Sequence, residues 1–280
     1  MTLIPAYRKD EALLLDIKNQ MGIDEQIHIW WLGQSGFLLQ WKRQHILLDP
    51  YLSDSLTKKY QGTDKEHIRM SERVIDPAHL NFIDIVTSSH NHTDHLDAET
   101  LIPLFKVNPN LKMLIPEANR SFVCDRVQLE KNIPFGINAG ETLDIQNIRF
   151  HGIASAHNDL DKDIQGRHLY MGYVIEIGNK KIYHSGDTLK YEGLDEFLKI
   201  FQIDLALLPI NGNLPERKVA GNMNAKEAVS LSKIITAKWT IPCHYDMFTF
   251  NTVDVNEFIT EAEKEKIHFR ILKIGERFSI

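Results

Sequence analysis

The segment Ser89-His90-Asn91-His92-Thr93-Asp94-His95 places three imidazoles and a carboxylate within six residues. Core packing does not ask for that composition, because clustered imidazoles need either hydrogen-bond partners or a metal. His90 and His92, two apart at the end of an extended segment, can project to one side, while Asp94 and His95, at the turn into a helix, can face a neighbouring point. The geometry suits two metal ions side by side; the competing reading is a polar loop of solvated histidines. Imidazole and carboxylate donors without thiolate suit Zn²⁺, Mn²⁺ or iron, with zinc or manganese the expectation.

These side chains need rigid elements beneath them. A helix is expected over residues 10–21, with Leu13, Leu14 and Ile17 on one side. Short apolar segments at Ile27–Leu32, Gly36–Trp41 and His45–Leu48, separated by polar turns, read as an antiparallel meander. Residues 51–80 are polar and irregular and read as a long functional loop. The strand Phe82–Ser88 runs straight into the histidine cluster, and a helix follows from Asp97, a good N-cap, toward Val107, with Pro103 inside it. Further strands are expected at Lys112–Ile115, Gln146–Ala154, Met171–Ile177, Lys181–His184, Leu205–Pro209, Trp239–Pro242 and Phe269–Ile274. Helices are expected at Glu117–Val127, Leu194–Phe201, Ala225–Thr236 and Val255–Glu265. The order is β-rich, then α/β, twice over, and no Pro/Gly/Ser linker divides it. One domain over 1–280 is expected, an α/β fold built as an αββα sandwich of two mixed sheets flanked by helices.

Composition bounds the function. The chain has 280 residues, with 38 acidic against 32 basic side chains and a formal charge of −6. At 43% hydrophobic and 25% charged it is an ordinary globular sequence rather than a disordered one. The net charge and the lack of any Lys/Arg run argue against a nucleic-acid partner. Two cysteines, Cys124 and Cys243, cannot form a disulfide scaffold, and 13 histidines point to imidazole chemistry. No stretch approaches the ~20 apolar residues of a spanning helix, and the N-terminus lacks the pattern of a signal peptide. A cytoplasmic protein without a membrane partner is the expectation.

The spacing His90-x-His92-x-Asp94-His95 resembles the H-x-H-x-D-H signature of the metallo-β-lactamase superfamily. That resemblance implies three further ligands, each after a later strand, and His157, Asp187 and His244 stand at such positions. It implies that His90, His92 and His157 hold one metal, that Asp94, His95 and His244 hold a second, and that Asp187 bridges them. Two divalent ions against two aspartates would make the pocket cationic in an acidic protein and draw a small anionic substrate. A bridging water would have its pKa lowered from ~15.7 toward ~7, giving hydroxide for attack on a carbonyl or phosphoryl centre, with Asp94 orienting it and passing a proton to the leaving group.

Within the superfamily, Trp30-Trp31-Leu32-Gly33 with Gly36, Asp49-Pro50, Tyr183-His184-Ser185-Gly186-Asp187 and Ile241-Pro242-Cys243-His244-Tyr245-Asp246 resemble the L-ascorbate-6-phosphate lactonase family. Those segments are shared in part with the N-acyl-phosphatidylethanolamine phospholipase D group. A dinuclear hydrolase opening a small anionic ester or lactone, such as a phosphorylated sugar lactone, is the leading expectation. The alternative is a phosphodiesterase acting on a cyclic nucleotide, a phospholipid-like diester or RNA. Arg69, Arg73, Asn213, Arg217 and Tyr245, in or beside the long polar loops and the last motif, are the candidate substrate contacts, and Lys218, beside Arg217, is a further cation placed to clamp a phosphate. His184 reads either as a support for Asp187 or as a core histidine. A homo-oligomer is expected only by analogy with the lactonase family.

Overall fold

The short apolar runs near the N-terminus fold as a meander because each ends in a tight polar turn. β1 (Ile27–Gly33), β2 (Gly36–Trp41) and β3 (Gln44–Leu48) pair antiparallel and are buried almost throughout, as strands covered on both faces must be. Beyond β3 the pairing turns parallel, through β4 (Ile85–Thr87), β5 (Lys112–Pro116) and β6 (Phe135–Ile137). Helices α3 (Ala98–Val107) and α4 (Arg120–Val127) make the crossovers, as parallel neighbours require. The last strand, β13 (Arg277–Ser279), returns antiparallel to β1 and completes a seven-stranded sheet. The structure is a computed structural model that describes residues 2–23 and 25–280.

The second sheet repeats the plan. β7 (Thr142–Ile145), β8 (Ile148–Ala154), β9 (Met171–Ile177) and β10 (Lys180–His184) are antiparallel, and β11 (Leu205–Pro209) and β12 (Trp239–Cys243) continue in parallel. Helices α5 (Leu194–Lys199) and α6 (Ala225–Ile234) join the parallel strands, and α7 (Val255–Glu265) packs beside α6. The sheets meet through a shared apolar core and through side chains that cross between them. His184 of β10 donates to the Ser35 carbonyl, and the Tyr173 hydroxyl of β9 donates to the Ser88 carbonyl. This is the αββα sandwich that the sequence pattern indicates. No helix among the described residues is long and apolar enough to cross a membrane.

Several elements differ from the sequence pattern. The helix over 10–21 is α1 (Asp10–Asn19). The strand expected over Phe82–Ser88 pairs only at β4, and the helix expected at Glu117 opens with a 3₁₀ turn. The polar stretch 51–80 contains α2 (Ser55–Lys59) and a 3₁₀ turn at Pro77–His79. Strands β6 and β7 were not indicated by the pattern. Phe269–Ile274 is no strand, because it meets β12 at the single bridge Thr240–Phe269. Gly275, with φ +78°, then turns the chain toward β1 at a place where a Cβ would meet the Arg8 carbonyl oxygen at 2.0 Å. Asp97 caps α3 as expected, its carboxylate accepting from Glu99 N–H, and Pro103 is accommodated within the helix.

His45 on β3 makes a testable consequence of this burial. It is 3% exposed, neither ring nitrogen has a hydrogen-bond partner, and its ring meets Phe82 edge-on at 4.8 Å. Burial lowers its pKa to about 4, and the Asp84 carboxylate at 3.9 Å does not offset that. The folded protein therefore keeps this ring neutral, while the unfolded chain takes up a proton below about pH 6.5. Stability from this group is complete above that pH and falls as the pH drops toward about 4, by at most about 1.4 kcal/mol per pH unit. Urea melts from pH 7 to 4 should show a shallower acid decline for His45→Leu than for wild type. Equal declines would contradict the assignment.

Candidate metal centre

The chemistry-bearing side chains stand at the carboxyl ends of strands, where loops converge in layered α/β structures. His90, His92, Asp94 and His95 follow β4, His157 follows β8, Asp187 follows β10 and His244 follows β12. They gather in two groups, His90 with His92 and His157, and Asp94 with His95, Asp187 and His244. Within each group the potential ligand atoms all lie within 4.8 Å of one another. Asp187 stands between the groups. Its Oδ1 lies 2.9 Å from His244 Nε2 and 3.2 Å from His95 Nε2, whereas its Oδ2 lies 3.7 Å from His157 Nε2. In the first group His157 Nε2 and His92 Nδ1 are 3.2 Å apart; in the second His244 Nε2 and His95 Nε2 are 3.4 Å apart.

Outer partners decide which nitrogen of each ring faces inward. The His157 Nδ1–H donates to the Gly221 carbonyl at 2.7 Å, and the His95 Nδ1–H donates to Asp49 Oδ2 at 2.7 Å. A carbonyl and a carboxylate only accept, so both rings turn Nε2 toward Asp187. Asp49 is fully buried at the end of β3 and also accepts from the Ser89 N–H, the Ser89 hydroxyl and the Thr87 hydroxyl. Gln34, in the β1–β2 turn, donates from Nε2 to Asp94 Oδ2 at 2.9 Å, and the same amide nitrogen lies 3.0 Å from His244 Nδ1.

The inner atoms ask for positive charge. His90 Nε2 and Asp187 Oδ1 are buried with no hydrogen-bond partner, so the short contacts at Oδ1 lack hydrogen-bond geometry. Burial opposes ionisation of Asp187, yet His244 and His95 hold its carboxyl well below the usual range. Burial likewise opposes a charged His95, but the Asp187 and Asp94 carboxylates raise it well above an ordinary imidazole. Burial and the neighbouring imidazoles of His95 and His92 keep His90 neutral. Inward lone pairs, an unpartnered carboxylate oxygen and a demand for cationic charge fit divalent metal ions, and with only N and O donors the set is that of Zn²⁺, Mn²⁺ or iron.

Two backbone features bring the groups together. Gly186, with φ +58°, lets the Asp187 loop approach the His90 loop; a Cβ there would meet Met171 O at 2.4 Å and Ser89 Cβ at 2.8 Å. His244 itself has φ +65°, a left-handed conformation that is rare for a non-glycine residue and concentrates at functional sites.

Above these groups lies a cleft of about 420 Å³, with His92, Asp94, His157 and Asp187 at its base. Of the residues expected to touch substrate, Lys218 lines it, but Arg69, Arg73, Asn213, Arg217 and Tyr245 do not. Arg69 is buried, its Nε donating to Asp54 Oδ1 at 2.6 Å and its guanidinium lying over the Tyr51 ring. Arg73 and Asn213 are exposed outside the cleft, Asn213 lying against Gly221. Arg217 donates to the Asn211 and Thr252 carbonyls and ties its own loop to the one that follows β12. Tyr245 is buried, stacked on Trp31 at 4.5 Å, and its hydroxyl donates to Leu272 O at 2.6 Å. The polar tips of Arg69, Arg217 and Tyr245 are thus taken up by neighbouring protein groups, while Arg73 and Asn213 face away from the cleft. The cations that do line the cleft are Lys59, Lys65, Arg126 and Lys218.

His184 is a core histidine, hydrogen-bonded to the Ser35 carbonyl and set edge-on to Phe37. Burial pushes the Cys243 thiol far up, so it offers no thiolate. Asp49 and Gln34 were missed as site residues. The signal for Asp49 was its place between an apolar strand and a proline, where a carboxylate has no packing reason to be.

Residues 28–244 match the family described as Beta-lactamase superfamily domain. A UPF0173 metal-dependent hydrolase from Methanocaldococcus jannaschii is 28% identical over 254 residues, covering 89% of this chain and 98% of its own. Among solved structures, a metallo hydrolase from Ignicoccus hospitalis aligns with a TM-score of 0.66 at 20% identity, over 91% of this chain and 98% of that one. An isothiocyanate hydrolase from Delia radicum gut bacteria aligns with a TM-score of 0.70 at 17% identity, over 90% and 98%. At such identities the structural likeness is one of fold. The family match spans most of the sequence, and the chain belongs to the β-lactamase superfamily as a hydrolase of the metallo-β-lactamase fold.

Proposed function

We propose that this hydrolase holds two divalent metal ions, zinc or manganese, and opens a small anionic ester or lactone, a phosphorylated sugar lactone being the fitting example. The observation that carries the reading is the split of Asp187, with one oxygen among His95 and His244 and the other toward His157. His90, His92 and His157 would hold one ion, Asp94, His95 and His244 the other, and Asp187 both. Bound there, such ions would polarise an acyl oxygen and make a coordinated water acidic.

The chain's own residues do the rest. His92, Asp94, His157 and Asp187 form the base of the cleft, so an acyl group entering it meets them first. Gln34 fixes one Asp94 oxygen and leaves the carboxylate open to the cleft, where it can take the proton of the attacking water. As the water oxygen bonds to the acyl carbon and the acyl C–O bond breaks, that proton passes from Asp94 to the departing oxygen. Asp49 keeps the His95 ring in one orientation throughout.

A cleft of this volume suits a small molecule rather than a polymer, which places the ester reading ahead of RNA cleavage. A panel of lactones and aryl esters, assayed beside bis-p-nitrophenyl phosphate with added Zn²⁺ or Mn²⁺, tests this. Metal-dependent turnover concentrated on the lactones is expected. Turnover confined to the diester would replace the reading with phosphodiester hydrolysis.

A further inference from the structure

The cleft walls carry an imbalance of charge that the metal chemistry does not use. The lining includes four cationic side chains, while its carboxylates, Asp94 and Asp187, both belong to the metal groups at the base. Arg126 is engaged structurally, with Nη1 donating to the Asn91 and Leu96 carbonyls and the guanidinium over the Phe122 ring. The three lysines are different. Lys58, which points elsewhere, is paired with Glu99 at 2.8 Å, but among the described residues Lys59, Lys65 and Lys218 have no carboxylate partner.

They reach the cleft from two distant parts of the sequence. Lys59 ends α2 and Lys65 follows in the next turn, while Lys218 sits just after the 3₁₀ turn Pro215–Arg217 in a left-handed conformation, φ +50°. Lys65 Nζ donates to the Lys218 carbonyl at 2.5 Å and joins the two segments across the mouth. An ammonium has three donors, so Lys65 keeps two; Lys59 Nζ lies over the Tyr60 ring at 5.1 Å, and neither it nor Lys218 donates a side-chain hydrogen bond to another described residue.

Resting on the hydrolase reading above, we propose that Lys59, Lys65 and Lys218 form a binding site for a terminal oxyanion of the substrate, separate from the metal groups. The substrate is then a molecule with two ends, an acyl group at the base of the cleft and a phosphate or carboxylate at its mouth. Charge-assisted hydrogen bonds from flexible ammonium groups suit such a group and tolerate either chemistry.

The test uses the full-length, metal-loaded protein and two matched pairs of probes: glucono-δ-lactone with its 6-phosphate, and phenyl acetate with 4-acetoxybenzoate. Wild type should favour the anionic member of at least one pair by about tenfold in kcat/KM, which corresponds to ~1.4 kcal/mol. The double variant Lys59→Gln, Lys218→Gln should lose most of that preference, through KM rather than kcat, and Lys58→Gln should keep it. The wild-type preference should also shrink as salt rises. A preference in the phosphate pair alone identifies a phosphate site, and one in both pairs identifies a general oxyanion site. Turnover of the neutral members with no anionic preference, or a preference that the double variant retains, overturns the lysine site and leaves the hydrolase reading standing. Failure to turn over any of the four overturns both.

Discussion

Asp94→Asn should lower kcat by about 10²–10⁴-fold, the range typical of removing a positioned acid–base group, while the protein melts at nearly the wild-type temperature. The amide is isosteric with the carboxylate, and its oxygen can still accept the Gln34 N–H that Asp94 Oδ2 accepts at 2.9 Å. What is lost is the ability to take a proton, together with one of the negative charges facing His95 and His244. The direction of the Asp94 pKa supports the role: burial opposes the charge, but His95 holds the carboxyl below its usual range, so it is ionised and ready at neutral pH. Steady-state kinetics with a metal measurement on the same sample separates loss of the proton relay from loss of metal. An unchanged kcat would exclude Asp94 from the reaction.

Asp49 carries the second large effect, and it acts without touching substrate. Its two oxygens accept from His95, Ser89 and Thr87 in a site shielded from solvent. Truncation by Asp49→Ala strands those buried donors, and the expected loss is about 3–5 kcal/mol of folding stability, the range for breaking a buried charged pair. Asp49→Asn is the more discriminating change. It preserves volume but offers His95 Nδ1–H at most a neutral acceptor, and on one face presents a competing donor. The His95 ring then loses its fixed orientation, and metal affinity should weaken by about 10–100-fold, as when other outer partners of ligating histidines are changed. Competition against a chelator of known affinity reads this directly. Wild-type affinity in Asp49→Asn would show that His95 needs no such support.

How far the site could be read in advance depended on how unusual each residue's chemistry was locally. His90, His92, Asp94 and His95 announce themselves because four donors crowd into six positions. His157, Asp187 and His244 each stand alone in the sequence and were found only through a family resemblance and their positions after strands; the folded chain brings them to the same place. Lysines and arginines in polar loops gave no such signal. Arg69, Arg217 and Lys218 all look like substrate clamps in a loop, but folding turns the two arginines toward Asp54 and nearby carbonyls, and Lys218 faces the cleft together with Lys59, which the sequence did not single out. The direction of a long side chain is set by the loop's path, and that path follows from tertiary contacts such as the Lys65–Lys218 bond. The same limit explains Phe269–Ile274, whose alternation fits a strand but whose neighbours leave it only one bridge. The meander and the parallel crossovers, by contrast, follow from local periodicity, and both were legible.

The proposed hydrolase works only if the two groups of donors act as a metal centre joined by Asp187. Elemental analysis of the purified protein, with turnover followed before chelation, after chelation and after adding back Zn²⁺ or Mn²⁺, tests that claim most directly. The expected result is about two divalent ions per chain, as for a paired hydrolytic site, with hydrolysis lost on chelation and restored on reloading. Far less than one ion per chain, with no gain in activity on adding either metal, would contradict it.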